Sequence, residues 1–143
     1  MLVPIAHVTS RSVNELLEEA RGRLRRRAPR DATEAIAAGA ALVDIRSDSQ
    51  RERDGLVPGS IVVNRNELEW RADPASDYHD ERIADPEREV IVMCNEGYQS
   101  SLAAATLQDL GLAHATDLEG GFQAWRAAGL PVAPLDPDTR TSV

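Results

Sequence analysis

The stretch from Val90 to Leu110 constrains the fold of this chain more than any other part of the sequence. It begins with a four-residue apolar run that is typical of a buried strand. The run ends at Cys94, the only cysteine, and a five-residue segment with a glycine at its centre follows. Ser100 or Ser101 can then cap a helix whose apolar residues recur at helical spacing. The sequence therefore predicts a thiol at the carboxyl end of a strand and at the mouth of a helix, on the edge where open α/β sheets bind ligands.

The thiol of Cys94 has two interpretations. A loop that precedes a helix points several backbone N–H groups inward and adds the positive end of the helix dipole. That field favours the nucleophilic thiolate over the thiol, and the same cradle would hold a persulfide or an oxyanion. On the other interpretation Cys94 is a small buried core residue, as lone cysteines after apolar strands often are. The arrangement of strand, loop and helix favours the reactive thiol.

Strand and helix patterns alternate along the rest of the chain, which predicts one α/β domain with a mainly parallel sheet flanked by helices. Strands are predicted at 41–45, 61–63, 90–93 and 115–119, and helices at 31–38, 47–54, 66–70, around 80–84, from 100 to about 110, and at 122–128.

Two charged residues, Asp44 and Arg46, lie near the end of the first predicted strand. Because they are two residues apart, their side chains point to the same face of the strand. The pair is interpreted either as an ion pair that fixes the neighbouring loops or as part of the wall of a site.

The first 30 residues carry seven arginines and three glutamates. Ser12 and Glu15 have the spacing of a capping box, so a helix is predicted from there through about Arg27, ended by Pro29. The arginines at its end suit the negative end of the helix dipole. They are interpreted either as a solvated helix end or as a binding site for an anionic protein partner.

Composition excludes several classes of function. The chain of 143 residues carries a net charge of −8, and residues 31–143 account for −12, which argues against a nucleic-acid-binding domain. One cysteine cannot form an internal disulfide or a CxxC site. There is no run of about 18 apolar residues and no signal-peptide pattern, so we expect a cytoplasmic protein without a membrane span.

Three segments in a fixed order resemble the single-domain rhodaneses, a family of sulfurtransferases. They are 42–46 with 55–60, the loop 94–100 after its apolar strand, and 118–125. The resemblance implies a rhodanese-like open sheet flanked by helices, with an extra N-terminal helix. It divides the chain into an Arg-rich helical extension (1–30), a rhodanese-like domain (31–132) and a flexible tail (133–143).

The resemblance also implies a reaction and its residues. Cys94 would take a sulfane sulfur from a small-molecule or protein-bound donor as a persulfide and pass it to a thiol or another nucleophilic acceptor. Asp44 and Arg46 would brace the loop, and neither a cofactor nor a metal is implied. The residues of the implied anion-binding loop are Asn95, Glu96, Gly97, Tyr98, Gln99 and Ser100.

The loop departs from the family pattern at two positions. Gln99 stands where a basic residue is common, and Glu96 adds a negative charge. A carboxylate at close range disfavours both a thiolate and a dianionic donor such as thiosulfate. We therefore predict that thiosulfate is a poor donor and that a neutral or protein-bound persulfide suits the loop better.

Two alternatives to a sulfurtransferase stay open on the sequence alone. The first is a non-catalytic rhodanese-like module that binds a partner or senses oxidants through Cys94. The second is a phosphatase or arsenate reductase. The short loop argues against this second alternative, because related phosphatases carry one more residue to fit a phosphate, and so does the lack of an arginine beside the serine.

Overall fold

The computed structural model describes residues 10–136 and shows the predicted alternation of helices and strands. The helices are α1 (Val13–Gly22), α2 (Pro29–Ala37), α3 (Asp48–Asp54), α4 (Leu68–Ala72), α5 (Gln99–Asp109) and α6 (Gly121–Ala127), with a 3₁₀ turn at Arg65–Glu67. The strands are β1 (Ala41–Asp44), β2 (Ile61–Val62), β3 (Val90–Met93) and β4 (Ala115–Asp117).

The four strands form one parallel sheet in the order β2-β1-β3-β4, which confirms the predicted fold class. Asp44 of β1 pairs with Met93 of β3, and Val92 pairs with Asp117 of β4. The carboxyl ends of these three strands therefore meet at one edge of the sheet. Cys94 follows β3 directly and lies at this edge, as the sequence predicts.

The core lies on both faces of the sheet and is built mainly from aliphatic side chains. All four residues of β3 are fully buried. Val90 and Val92 pack with Leu107 of α5 on one face, whereas Ile91 packs with Phe122 of α6 on the other. Each such buried side chain stabilises the fold by about 1.5–3 kcal/mol. The helices that border the Cys94 loop are thus anchored on opposite faces of the central strand.

The N-terminal segment differs from the sequence prediction. Helix α1 has the predicted capping box but ends at Gly22 rather than near Arg27, because glycine is a poor helix former. Arg27 instead extends the edge of the sheet: its N–H donates to the carbonyl of Asp117, and its carbonyl accepts from the N–H of Glu119. Pro29 does not end a helix. It occupies the first position of α2, where its missing N–H costs nothing.

Helix α1 packs against α5 through a narrower apolar face than the sequence suggests. Leu17 and Ala20 are buried, whereas Val13 is 65% exposed and Leu16 is 40% exposed. The N-terminal extension therefore docks on the domain through its second half, next to the end of the Cys94 loop.

Two further predictions are corrected by the structure. The segment around Asp80–Ala84 forms turns rather than a helix, although Ile83 is fully buried in the core. The tail predicted to be loose is held as far as Ala133, which exchanges two backbone hydrogen bonds with Leu56. Residues 137–143 of that predicted tail lie outside the described residues. Among residues 10–136 no helix is both long enough and apolar enough to span a membrane.

Candidate active site

The sulfur of Cys94 lies inside the loop that joins β3 to α5. The residue is 8% exposed. Its Sγ accepts hydrogen bonds from two backbone N–H groups, that of Gly97 at 3.1 Å and that of Ser100 at 3.4 Å. Ser100 is the second residue of α5, so the sulfur lies at the positive end of the helix dipole. Two backbone N–H donors and the helix N-terminus thus form a cradle that suits an anionic sulfur.

The residues of the predicted loop divide into an inner and an outer group. Gly97 and Ser100 are buried beside the sulfur, and Asn95 is partly buried. The side chains of the outer group lie at the surface, and they are Glu96, Tyr98 and Gln99. The loop therefore contacts the sulfur through its backbone, and the three outer side chains face solvent.

The predicted serine cap of α5 is wrong. The helix begins at Gln99, and its N-cap residue is Tyr98, without a side-chain hydrogen bond. The hydroxyls of Ser100 and Ser101 donate instead to the buried carboxylate of Asp117, at 2.8 and 2.7 Å. The hydroxyl groups form stronger hydrogen bonds with this charged, buried carboxylate than they would form with a backbone N–H at the start of the helix.

The start of α6 holds the other side of the loop. The N–H groups of Phe122 and Gln123 donate to the carbonyls of Cys94 and Asn95, at 2.9 and 3.1 Å. Gly121 has a φ of +62°, and a Cβ there would lie 2.5 Å from the carbonyl oxygen of Cys94. The close contact of the two segments therefore requires glycine at this position.

A polar link runs from the loop to α3. The amide nitrogen of Gln123 donates to Asn95 Oδ1 and to Asp54 Oδ2, both at 3.0 Å. Arg53 foremost, and then Gln123 and Arg126, lower the pKa of the Asp54 carboxyl to about 2. The contribution of this carboxylate to stability is therefore complete above its ordinary pKa of 3.8 and is lost as the pH falls towards 2.

Asp44 and Arg46 form a buried ion pair rather than an exposed wall of a site. The guanidinium of Arg46 donates to both carboxylate oxygens of Asp44 and to the carbonyl of Gly55, at 2.8–3.2 Å. It also lies 3.8 Å from the ring centroid of Phe122, whose N–H holds the Cys94 carbonyl. Contact with the sulfur loop is thus indirect. Arg51, which the sequence analysis did not single out, joins the cluster with Nη1 at 3.6 Å from Asp44.

Two arginines of the N-terminal segment reach the loop. Arg21 and Arg26 each donate an Nη2 hydrogen bond to the carbonyl of Gly97, at 2.8 and 3.0 Å. Arg26 also pairs through Nε with Asp117 at 2.9 Å. These two arginines are therefore neither part of a solvated helix end nor free for a partner, because they contact the domain itself.

The loop also relies on residues that sequence reasoning missed. Asp117 could have been noticed, because it is a carboxylate within an apolar strand at the same sheet edge as Cys94. Arg21 and Arg26 carry no such signal, because 76 and 71 residues separate them from Gly97. No group of histidine, cysteine and carboxylate side chains within residues 10–136 has a geometry for holding a metal.

Comparison with protein families decides the classification. Residues 28–128 match the model of the rhodanese-like domain, which covers well over half of the chain. The chain belongs to the rhodanese family. This rhodanese is 36% identical over 104 residues to a protein named thiosulfate sulfurtransferase GlpE from Ectopseudomonas mendocina, with 72% of this chain and 85% of the relative covered. Its resemblance to the family, inferred from three short segments, is confirmed.

Solved structures support the same classification. A protein from Rhodopseudomonas palustris, described as of unknown function and a possible tyrosine phosphatase, is 35% identical with a TM-score of 0.80, covering 90% of this rhodanese and 99% of that chain. A rhodanese-related protein from Thermoplasma volcanium is 27% identical with a TM-score of 0.62, covering 78% and 99%. The first match leaves only about a tenth of this rhodanese uncovered, so it includes part of the segment before residue 28.

Proposed function

We propose that the protein is a sulfurtransferase that carries sulfane sulfur as a persulfide on Cys94. The observation that carries the proposal is the pair of N–H groups, from Gly97 and Ser100, that point at Sγ from a loop at the N-terminus of α5. Relatives over most of the chain are named thiosulfate sulfurtransferases, which supports this class of reaction. A free reactive thiol needs a reducing compartment, which favours the cytoplasm as its location.

The proposed reaction has two displacement steps. The Cys94 thiolate attacks the outer sulfur of a donor persulfide, a bond forms between the two sulfurs, and the donor thiolate leaves with the electrons of the broken S–S bond. A nucleophilic acceptor then attacks the outer sulfur of the Cys94 persulfide and releases the Cys94 thiolate. No external oxidant or reductant is consumed. The loop N–H groups stabilise the anionic sulfur that begins and ends this cycle.

We further propose that thiosulfate is a poor donor compared with an organic or protein-bound persulfide. Glu96 lies at the surface of the loop, where its carboxylate repels a dianion. Gln99, also exposed, offers no compensating charge on that side. Arg21 and Arg26 are engaged with the Gly97 carbonyl behind the loop.

The first test is the intact mass of the protein after incubation with glutathione persulfide. We expect a gain of one sulfur atom that dithiothreitol removes, because the loop is built to hold anionic sulfur. In Cys94→Ser the gain should be absent, with thermal unfolding used to show that the variant is folded. A wild-type protein that gains no sulfur from any persulfide donor would contradict the proposal and favour a non-catalytic binding or redox-sensing module.

A second prediction concerns donor choice. Gln99→Arg should raise kcat/KM for thiosulfate by about tenfold, because one opposite charge near a dianion at the surface is worth on the order of 1 kcal/mol or more. The matched control is Gln99→Met, which has similar length and no charge, assayed with both thiosulfate and a neutral persulfide. If arginine and methionine give equal rates with thiosulfate, the charge argument for donor choice is wrong.

A phosphatase is the second candidate, because one similar solved structure is described as a possible tyrosine phosphatase. Between Cys94 and Ser101 the loop contains no arginine to bind a phosphoryl group. The sulfurtransferase proposal therefore predicts no hydrolysis of p-nitrophenyl phosphate above the rate of Cys94→Ser. Hydrolysis that depends on Cys94 would favour the phosphatase instead.

A further inference from the structure

The carbonyl of Gly97 collects an unusual number of donors. Arg21 Nη2 donates at 2.8 Å, Arg26 Nη2 at 3.0 Å and the hydroxyl of Ser101 at 3.4 Å. The N–H of the same residue donates to Cys94 Sγ at 3.1 Å. Gly97 thus connects the sulfur on one side of the loop with two guanidinium groups on the other.

The two arginines are themselves held in place. Arg21, in the last turn of α1, donates through Nε to the Ser101 hydroxyl at 3.2 Å, and its guanidinium lies 5.4 Å from the ring centroid of Tyr98. Arg26 makes two hydrogen bonds to the fully buried Asp117 carboxylate, at 2.9 and 3.3 Å, and its side chain is only 17% exposed. Such charge-assisted bonds fix a guanidinium far better than a single surface ion pair does.

The arginines set the orientation of the peptide that joins Gly97 to Tyr98. No described peptide bond is cis, so the C=O and N–H of this peptide point in opposite directions. Because the carbonyl points at Arg21 and Arg26, the N–H of Tyr98 points away from them. Holding the carbonyl therefore fixes the direction of a loop N–H as well as the position of the Gly97 N–H beside the sulfur.

The charges around the loop do not cancel. Arg26 is neutralised by Asp117, and the pair formed by Asp44 and Arg46 lies on the far side of Phe122. Glu96 lies exposed on the loop, where its negative charge disfavours anionic sulfur and makes an offsetting positive charge more important. No ion pair within residues 10–136 involves Arg21, which contacts the Gly97 carbonyl, the Ser101 hydroxyl and the Tyr98 ring. Its positive charge therefore acts on the loop without a carboxylate in contact.

We infer that Arg21 and Arg26 are positioning residues of the active site, supplied by a segment that precedes the family domain. They hold the Gly97–Tyr98 peptide and stabilise anionic sulfur on Cys94, and so the N-terminal segment completes the site. The family match begins only at residue 28, so both arginines lie outside it. This inference rests on the proposed sulfurtransferase function for its role in the reaction, but its effect on the thiol is independent of any donor.

The size of the effect follows from the distances. Arg21 Nη2 lies within about 10 Å of Sγ. This limit follows because one hydrogen bond joins Nη2 to the Gly97 carbonyl and another joins the Gly97 N–H to Sγ. One unit charge at that distance changes the ionisation equilibrium of a thiol by about tenfold at the effective dielectric constant of a protein. Removing Arg21 should therefore shift the pH dependence of thiol reactivity upward by about one unit.

The test is the rate of Cys94 alkylation by iodoacetamide, a neutral probe, measured between pH 5 and 10 by intact mass. We expect the midpoint to rise by about one pH unit in Arg21→Gln and in Arg26→Gln, and to return towards the wild-type value in Arg21→Lys. The matched control is Arg23→Gln on the same segment. The guanidinium of Arg23 donates to Asp109 and to the Ala105 carbonyl on α5, so its removal should leave the midpoint unchanged.

The outcomes separate this inference from the proposed function. A purely structural role would lower the unfolding temperature in Arg21→Gln without moving the midpoint of alkylation, and that result would overturn the inference. Equal shifts in Arg23→Gln and Arg21→Gln would overturn it too, because they would reflect only the net charge of the segment. If the midpoint moves as expected while the wild type takes up no sulfur, the proposed function is wrong and the role of the arginines stands.

Discussion

At the scale of single residues, the site depends on backbone groups more than on reactive side chains. Cys94 is held by N–H groups, and its own carbonyl and that of Asn95 are held by the start of α6. The cysteine and its loop could be identified from the sequence, because a strand, a glycine and a helix start follow in order. Asp117 was missed because it belongs to no periodic pattern, although its position at the end of a strand on the same sheet edge as Cys94 was a usable signal.

Gly121 offers a test of the backbone contact. Its Cβ would lie 2.5 Å from the Cys94 carbonyl, so Gly121→Ala should displace the loop, lower the free energy of unfolding by more than about 1 kcal/mol and slow persulfide formation. Gly129→Ala is the matched control, because its φ is +73° and nothing lies within 4 Å of the added Cβ. Urea unfolding and sulfur uptake should both separate the two variants, and equal behaviour would contradict the close contact.

At the scale of secondary-structure elements, the local sequence pattern predicted an element correctly wherever the residues of that element decided its bounds. Strand β3 has the predicted bounds, and α3 begins one residue after the predicted start, with Ser47 as its N-cap. Prediction was wrong where a distant contact decided the outcome. The start of α5 depends on Asp117, which no local window includes. The early end of α1 is the exception, because Gly22 is a local signal.

The cluster at the end of β1 gives a prediction for the free energy of unfolding. Arg46→Met should lower it by about 3–5 kcal/mol, because the Asp44 carboxylate stays buried and loses its closest partner. The matched control is Arg82→Met, because the Arg82 side chain is 65% exposed; this change should lower the free energy of unfolding by less than about 1 kcal/mol. Denaturation by urea measures both, and similar losses would contradict the structural importance of the buried pair.

At the scale of the whole molecule, the N-terminal segment packs on the family domain and donates two hydrogen bonds to the Cys94 loop. The fold class could be predicted from alternating strands and helices, and the family from three short segments. The docking of α1 on α5 could not be predicted, because the arginines of the N-terminal segment are equally consistent with a solvated helix end. Arg25 and Arg30 are exposed, and a protein partner at this segment stays a prediction.

The central claim is that Cys94 receives sulfur and passes it on, and one measurement tests it directly. The protein is loaded with glutathione persulfide, freed of donor by desalting, and mixed with an excess of a low-molecular-weight thiol or cyanide. Intact mass should show the loss of one sulfur from Cys94 while the acceptor gains one, and a second round of loading should succeed. A loaded protein that keeps its sulfur in the presence of every acceptor would show that Cys94 stores or senses sulfur, and would contradict the account of a transferase.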